Sequence, residues 1–228
     1  MEIVILRHAQ PEWTKDGFSV DNPPLTAMGF EQAEFLARAL VDERFDEIFV
    51  SPLVRTQQTA APLLKMKNFP LQIAEWLEEI RNPIWHGTPE EKANEAWRAE
   101  KAKASHERWT GLDGGEAVNE FVERINIGTS LFLEEQGIAR SNNELPVWHT
   151  NSSFNDEKRI ALVAHAGTGS VAICHMLGLQ PTPWEWERFV IGHASINRIR
   201  TFPLGDGITF GLSQLSNNEH LPVHMRSY

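Results

Sequence analysis

The chain has 228 residues, is 41% hydrophobic and 23% charged, contains one cysteine and carries a formal net charge of −10. A chain of this size buries enough surface to hold a core without disulfides or metal, and its balance is that of a single globular domain. Its acidity argues against a nucleic-acid or anionic-membrane partner, and the lone cysteine excludes an internal disulfide framework and fits a reducing, cytoplasmic compartment.

Ile3-Val4-Ile5-Leu6 is a continuous apolar run, the pattern of a strand buried on both faces. It is too short for a signal peptide or a membrane span. Residues 26–41 read as a helix with Thr26 as N-cap and Phe30, Ala33, Ala37 and Leu40 on one face. Glu47–Val50 reads as a strand, followed by a helix from about Pro52 to Lys65 and a short strand from Leu71 to Ala74. Two longer helices are expected over 89–108 and 115–136, divided by the breaker between Gly111 and Gly115. Residues 138–158 read as a long polar connection. Ile160–Ala164 is a second fully apolar strand, with a helix from Ser170 to Met176 behind it. Two or three more strands are expected between Phe189 and Leu212, and the polar residues 213–228 are expected to be loosely held. Strands alternating with helices imply a three-layer α/β/α fold around a mostly parallel sheet.

Two places in the chain look alike. Arg7-His8-Ala9 and Ala164-His165-Ala166 each put a histidine just past the C-terminal end of a buried strand. Ligands of open parallel sheets bind at those ends, so two histidines from distant parts of the chain can meet over one site. A lone histidine there is most often a satisfied, partly buried side chain; the matched pair, with Arg7 beside one member, weakens that alternative. Arg55 follows the strand ending at Val50, and guanidinium groups bind phosphate oxygens bidentately. Competing motifs fare worse. Gly167-Thr-Gly169-Ser-Val-Ala172 matches a dinucleotide fingerprint in form but lacks the acidic residue at the expected distance. The arginine of a cysteine phosphatase would fall where Gln180 stands, which leaves Cys174 as a core residue. No zinc-binding H-E-x-x-H pair and no G-x-S-x-G elbow occurs.

Six fragments in order resemble the histidine phosphatase (phosphoglycerate mutase-like) superfamily. They are Leu6-Arg7-His8-Ala9, the turn and helix from Pro24 to Ala33, Ser51 to Ala60, Leu77-Glu78-Glu79-Ile80 with Trp85 and Gly87, Gly114-Gly115-Glu116, and Val163 to Gly167. The resemblance implies that His8 is the nucleophile of a phosphohistidine intermediate, attacking as a neutral imidazole. It implies that Arg7, Arg55 and His165 line the phosphate pocket, with substrate contacts from Gln10, Thr14 and Ala166. Glu79 would be general acid and then general base, which calls for a raised pKa, and Glu78 is its immediate rival. No metal or cofactor is expected.

The chain departs from the family pattern at Ala9 and Ala166, where glycines are usual, and at Pro11, Thr14, Pro83 and His86. The backbone N–H groups of the two alanines are expected to stay available to phosphate. In the family the segment corresponding to 81–112 forms a helical cap over the pocket. At least two of Trp85, Trp97 and Trp109 are expected to bury that cap against the sheet, while Trp13, close to the site in sequence, is one of a dozen residues able to contact substrate. Only fifteen residues separate His8 from Pro24, which resembles the phosphatase branch more than the mutases. The expected activity is hydrolysis of a small phosphorylated metabolite. The alternatives are a phosphoglycerate-type mutase and a silent phospho-ligand-binding domain, and a homodimer stays open.

Overall fold

The computed structural model describes residues 1–141 and 145–228; residues 142–144, inside the connection expected over 138–158, lie outside the described residues. In chain order the elements are β1 (Glu2–Arg7), β2 (Thr14–Lys15), β3 (Phe18–Ser19), α1 (Ala27–Leu40), β4 (Glu47–Val50), α2 (Val54–Lys67) and β5 (Gln72–Ile73). There follow α3 (Glu90–Ala102), α4 (Val118–Glu135), β6 (Ile138–Arg140), β7 (Trp148–Thr150), β8 (Arg159–Ala164), α5 (Ala166–Met176), α6 (Glu185–Arg188), β9 (Ile196–Leu204) and β10 (Gly207–Asn217).

Eight of the strands form one sheet in the order β5-β4-β8-β1-β9-β10-β7-β6. Its first half is parallel, as the alternation of apolar strands and helices requires. From β1 outward the pairs are antiparallel, so the whole sheet is mixed. The apolar runs explain the three layers. Ile3 and Ile5 of β1, with Ile160 and Leu162 of β8, face a core closed by Phe121, Ile125 and Leu133 of α4 and Val171 and Ile173 of α5. Val4, Leu6, Ala161 and Val163 face the opposite core under Leu36 and Leu40 of α1 and Leu63 and Leu64 of α2. Each such large aliphatic side chain contributes about 1.5–3 kcal/mol of burial.

Several boundaries differ from the sequence reading. In α1, Thr26 is the N-cap and accepts from the Gly29 N–H, but Phe30 points outward at 47% exposure. The buried stripe runs through Gly29, Gln32, Ala33, Leu36, Ala37 and Leu40 instead. Helix α5 begins four residues earlier than expected, because a carboxylate from elsewhere in the chain satisfies the N–H groups of its first turn, as described below. The tail is not loose. Strand β10 runs to Asn217, Leu221 and Met225 are buried, and the Gln32 amide donates to the Met225 carbonyl at 2.6 Å. Part of the expected polar connection is an antiparallel pair, β6 with β7, which extends the sheet.

A small hairpin, β2 with β3, was not legible from periodicity. Asp16 and Gly17 form its turn with φ of 53° and 83°, the two positive values that a two-residue type I′ turn requires. The hairpin is joined to the segment before α3. Ser19 donates to the Thr88 carbonyl at 2.8 Å, Gly87 to that of Ser19 at 3.0 Å, and Glu90 to that of Gly17 at 3.0 Å.

Candidate active site

The parallel half of the sheet brings three strand ends level. Arg7 pairs with Ala164 and Val50 with Val163, so His8, Ser51 and His165 emerge side by side at one edge. The His8 and His165 rings lie 5.1 Å apart between centroids, edge to face. The two histidines singled out in the sequence are therefore neighbours.

His8 is 3% exposed. Its Nδ1 lies 2.8 Å from the Ala9 carbonyl oxygen, which can only accept, so Nδ1 carries the proton and Nε2 keeps its lone pair. Burial, and then the charge of Arg55, holds its pKa well below the usual histidine value; His165, Arg7 and His193 act in the same direction. His8 is thus neutral at neutral pH. His165 is also held neutral, by burial first and the arginines next, and its Nε2 pairs with the Ser51 hydroxyl at 2.8 Å.

Arg7 and Arg55 are held by burial at about 10, low for guanidinium but high enough to keep both charged at neutral pH. Arg7 donates from Nη1 to the Ile191 carbonyl at 2.5 Å and from Nη2 to His193 Nε2 at 3.0 Å. Arg55, opening α2, lies with its guanidinium carbon 4.9 Å over the Trp13 ring. Arg7 Nε, Arg55 Nε and Nη1, and His165 Nδ1 are buried without a hydrogen-bond partner. Such groups are costly to leave unpaired, and together around His8 they are suited to an anion with several acceptor oxygens.

Glu79 is set by the residues that follow His165. Its Oε2 accepts from the Gly167 N–H at 2.9 Å, and its Oε1 from the N–H groups of Thr168 at 3.2 Å and Ile80 at 3.0 Å. A carboxylate at the N-terminus of α5 suits the exposed N–H groups and dipole there. The segment carrying it is clamped from behind. Arg124 of α4 donates to the Glu78 and Glu79 carbonyls at 3.1 and 3.2 Å and pairs with Glu116 at 2.8 and 2.9 Å. Burial opposes but does not outweigh the Arg124 and Arg81 bonds that hold the Glu116 carboxyl below its usual range. The rival Glu78 instead forms an ion pair with Arg81 at 2.7 Å.

Other expected residues are placed unequally. Thr14 lines a cavity of about 620 Å³ together with Arg55 and Glu79. Ala166 is the first residue of α5, beside His165. Gln10 is anchored beside His8, its Oε1 accepting from the Thr26 hydroxyl at 2.8 Å and its backbone N–H donating to Gln32 at 2.7 Å. The Ala9 N–H is likewise committed, to the Thr59 hydroxyl at 2.9 Å, and so is not free for phosphate as expected. Trp109 packs on the core, but Trp85 and Trp97 line the cavity, so burying the cap is not the place of two of those three tryptophans.

Sequence reasoning missed His193. Its ring lies 5.6 Å from that of His8, and its Nδ1 pairs with the Ser227 hydroxyl at 3.0 Å. Burial, then Arg7 and Arg55, pushes it down to about 3. His8 and His165 follow strands, whereas His193 precedes β9, whose antiparallel course brings its start to the same edge. Arg124 was also missed, since nothing but its spacing of eight from Glu116 marks it. Among the described residues no three His, Cys, Asp or Glu side chains are grouped to hold a metal ion, and no helix is long and apolar enough to cross a membrane.

The profile of a family described as the histidine phosphatase superfamily (branch 1) matches residues 3–208. Phosphoserine phosphatase 1 of Hydrogenobacter thermophilus is 30% identical over 143 residues, covering 59% of this chain and 64% of that protein, so the match spans under two thirds of that relative. The adenosylcobalamin/alpha-ribazole phosphatase of Escherichia coli is 29% identical over 193 residues, covering 82% and 84%. A mycobacterial glucosyl-3-phosphoglycerate phosphatase, solved with inorganic phosphate, shares the fold with a TM-score of 0.70 at 22% identity, covering 97% of this chain and 99% of that one.

Proposed function

The chain belongs to the histidine phosphatase superfamily, and we propose that it hydrolyses a small phosphomonoester through a phosphohistidine formed on Nε2 of His8, without a metal. The observation that carries this reading is the state of His8: buried, neutral, its Nδ1–H tied to the Ala9 carbonyl, and flanked by two charged arginines with unpartnered N–H groups. The curated relatives reported above are named as phosphatases for small phosphorylated compounds, which supports the same class of substrate here.

In the first step the Nε2 lone pair of His8 attacks phosphorus and the ester P–O bond breaks. Glu79, entering this step in its protonated form, gives its proton to the departing alkoxide oxygen. Arg7, Arg55 and His165 hold the non-bridging oxygens, where preorganised donors stabilise charge most effectively. In the second step water attacks phosphorus, Glu79 takes a proton from it, the N–P bond breaks, and inorganic phosphate leaves with His8 neutral again. Thr14 contributes from the cavity wall, Ala166 from beside His165, and Gln10, two residues after His8, through its side-chain amide N–H groups, its Oε1 being held by the Thr26 hydroxyl.

The whole chain is read as one domain in which 81–112 is an insertion capping the pocket, since α3 and the hairpin together wall the cavity. A cytoplasmic setting is proposed from the single buried cysteine. Hydrolysis of p-nitrophenyl phosphate in EDTA tests the proposal. Turnover that survives the chelator, releases inorganic phosphate and disappears in His8→Ala supports it. Robust turnover by His8→Ala removes the nucleophile, and phosphoryl transfer to an acceptor alcohol without phosphate release would make the chain a mutase.

A further inference from the structure

Resting on the phosphatase reading, we infer that the alcohol part of the substrate is a flat, ring-bearing group without negative charge, selected by the outer walls of the same cavity. At about 620 Å³ the cavity holds far more than a phosphate group. Of the proposed catalytic residues Arg55 and Glu79 line it, and the other walls come from residues 13–21 around the β2–β3 hairpin, Leu53, residues 78–85 and α3. Two features of those walls point to the leaving group.

The first is aromatic. Trp13, Trp85 and Trp97 all line the space, and Trp13 and Trp97 are 44% and 37% exposed. Exposed indole faces around a cavity offer stacking surface to a planar ring at little entropic cost. The Arg55 guanidinium on the Trp13 ring links this aromatic wall to the proposed phosphate site. The second feature is charge. Beyond Arg55 and Glu79 the ionisable wall residues are Asp21, Glu78, Glu90 and Arg81, an excess of carboxylates. Arg81 is already paired with Glu78. A second phosphate or a carboxylate on the substrate would therefore meet acidic walls without a free cation among the described wall residues. A ring without negative charge meets no such penalty. The walls are preformed, because the hairpin is bonded to residues 87–90 through backbone groups.

Four esters with primary-alcohol leaving groups test this by kcat/KM. Adding a ring, from ethyl phosphate to 2-phenylethyl phosphate, is expected to raise kcat/KM about three- to tenfold. Adding a carboxylate, from glycerol 3-phosphate to 3-phosphoglycerate, is expected to lower it about two- to fivefold at low salt. Trp97→Ala is expected to shrink the first ratio and Glu90→Lys the second, which a purely structural role for either residue would not do. If all four esters are hydrolysed with ratios near one, or with the carboxylate preferred, the inference fails while the phosphatase reading stands. If none is hydrolysed and His8 takes no phosphoryl group from any of them, both fall together.

Discussion

The Glu79 carboxylate is seated on the backbone N–H of Gly167 at 2.9 Å, and a β-carbon on Gly167 would collide with that carboxylate. The residue two positions after His165 is thus small because the proposed acid occupies the space a side chain would need. Gly167→Ala should leave α5 intact, since alanine favours helix more than glycine. It should displace Glu79 and lower kcat/KM about 100-fold for alkyl phosphates. With p-nitrophenyl phosphate, whose leaving group needs little protonation, the loss should be much smaller. Circular dichroism beside the two kcat/KM values checks this, and equal losses on both esters would contradict it.

Arg55 is charged, 3% exposed and carries two unpartnered nitrogens. A buried charge without an acceptor destabilises the fold, so function and stability should oppose each other here. Arg55→Gln is expected to reduce kcat about 100- to 1,000-fold. Without phosphate it should unfold at the same denaturant concentration as wild type or a higher one, with a gain on the order of 1 kcal/mol. A lowered midpoint would show that Arg55 supports the fold.

Inorganic phosphate should stabilise the wild type by about 2.7 kcal/mol at 100 times its dissociation constant, through binding to the folded state alone. Thermal scans at increasing phosphate check this. The shift should be lost in Arg55→Gln, and a shift of equal size in that variant would place the anion elsewhere.

Stability should fall as pH is lowered from 7 to 5. His8, His165 and His193 all have folded pKa values below the ordinary 6.5, with burial the largest cause; Arg55 comes next for His8 and His165, and Arg7 for His193, which is pushed to about 3. Below 6.5 the unfolded chain takes up protons that the folded chain refuses. Stability is therefore full above that value and is lost as pH falls toward the folded values, by about 1.4 kcal/mol per pH unit for each histidine. Urea midpoints measured from pH 7.5 to 5 should decline steadily; a flat profile would mean that these imidazoles are protonated in the folded state.

Much of this architecture was legible because its signals are local. Ile3–Leu6 and Ile160–Ala164 are apolar on every residue, so both strands and the edge they share could be read without partners. The pairing of His8 with His165 followed from that repetition. Other features depend on contacts between distant segments. Phe30 fits the helical stripe by spacing, yet the helix is rotated so that Gln32 and Leu36 face inward. The start of α5 is set by Glu79, some ninety residues earlier, and no capping residue announces it. His193 stands before an antiparallel strand, and the tail is held by Gln32, so neither could be placed from its own neighbours.

With Nδ1 of His8 bonded to the Ala9 carbonyl, Nε2 is the atom left to carry the phosphoryl group. Mixing the protein with a phosphorylated substrate in EDTA, quenching in base and locating the phosphate by fragmentation and phosphorus NMR tests it most directly. An acid-labile, base-stable phosphate is expected on Nε2 of His8 in the wild type and none in His8→Ala. Phosphate on Nδ1, on another residue, or on the His8→Ala variant would contradict it.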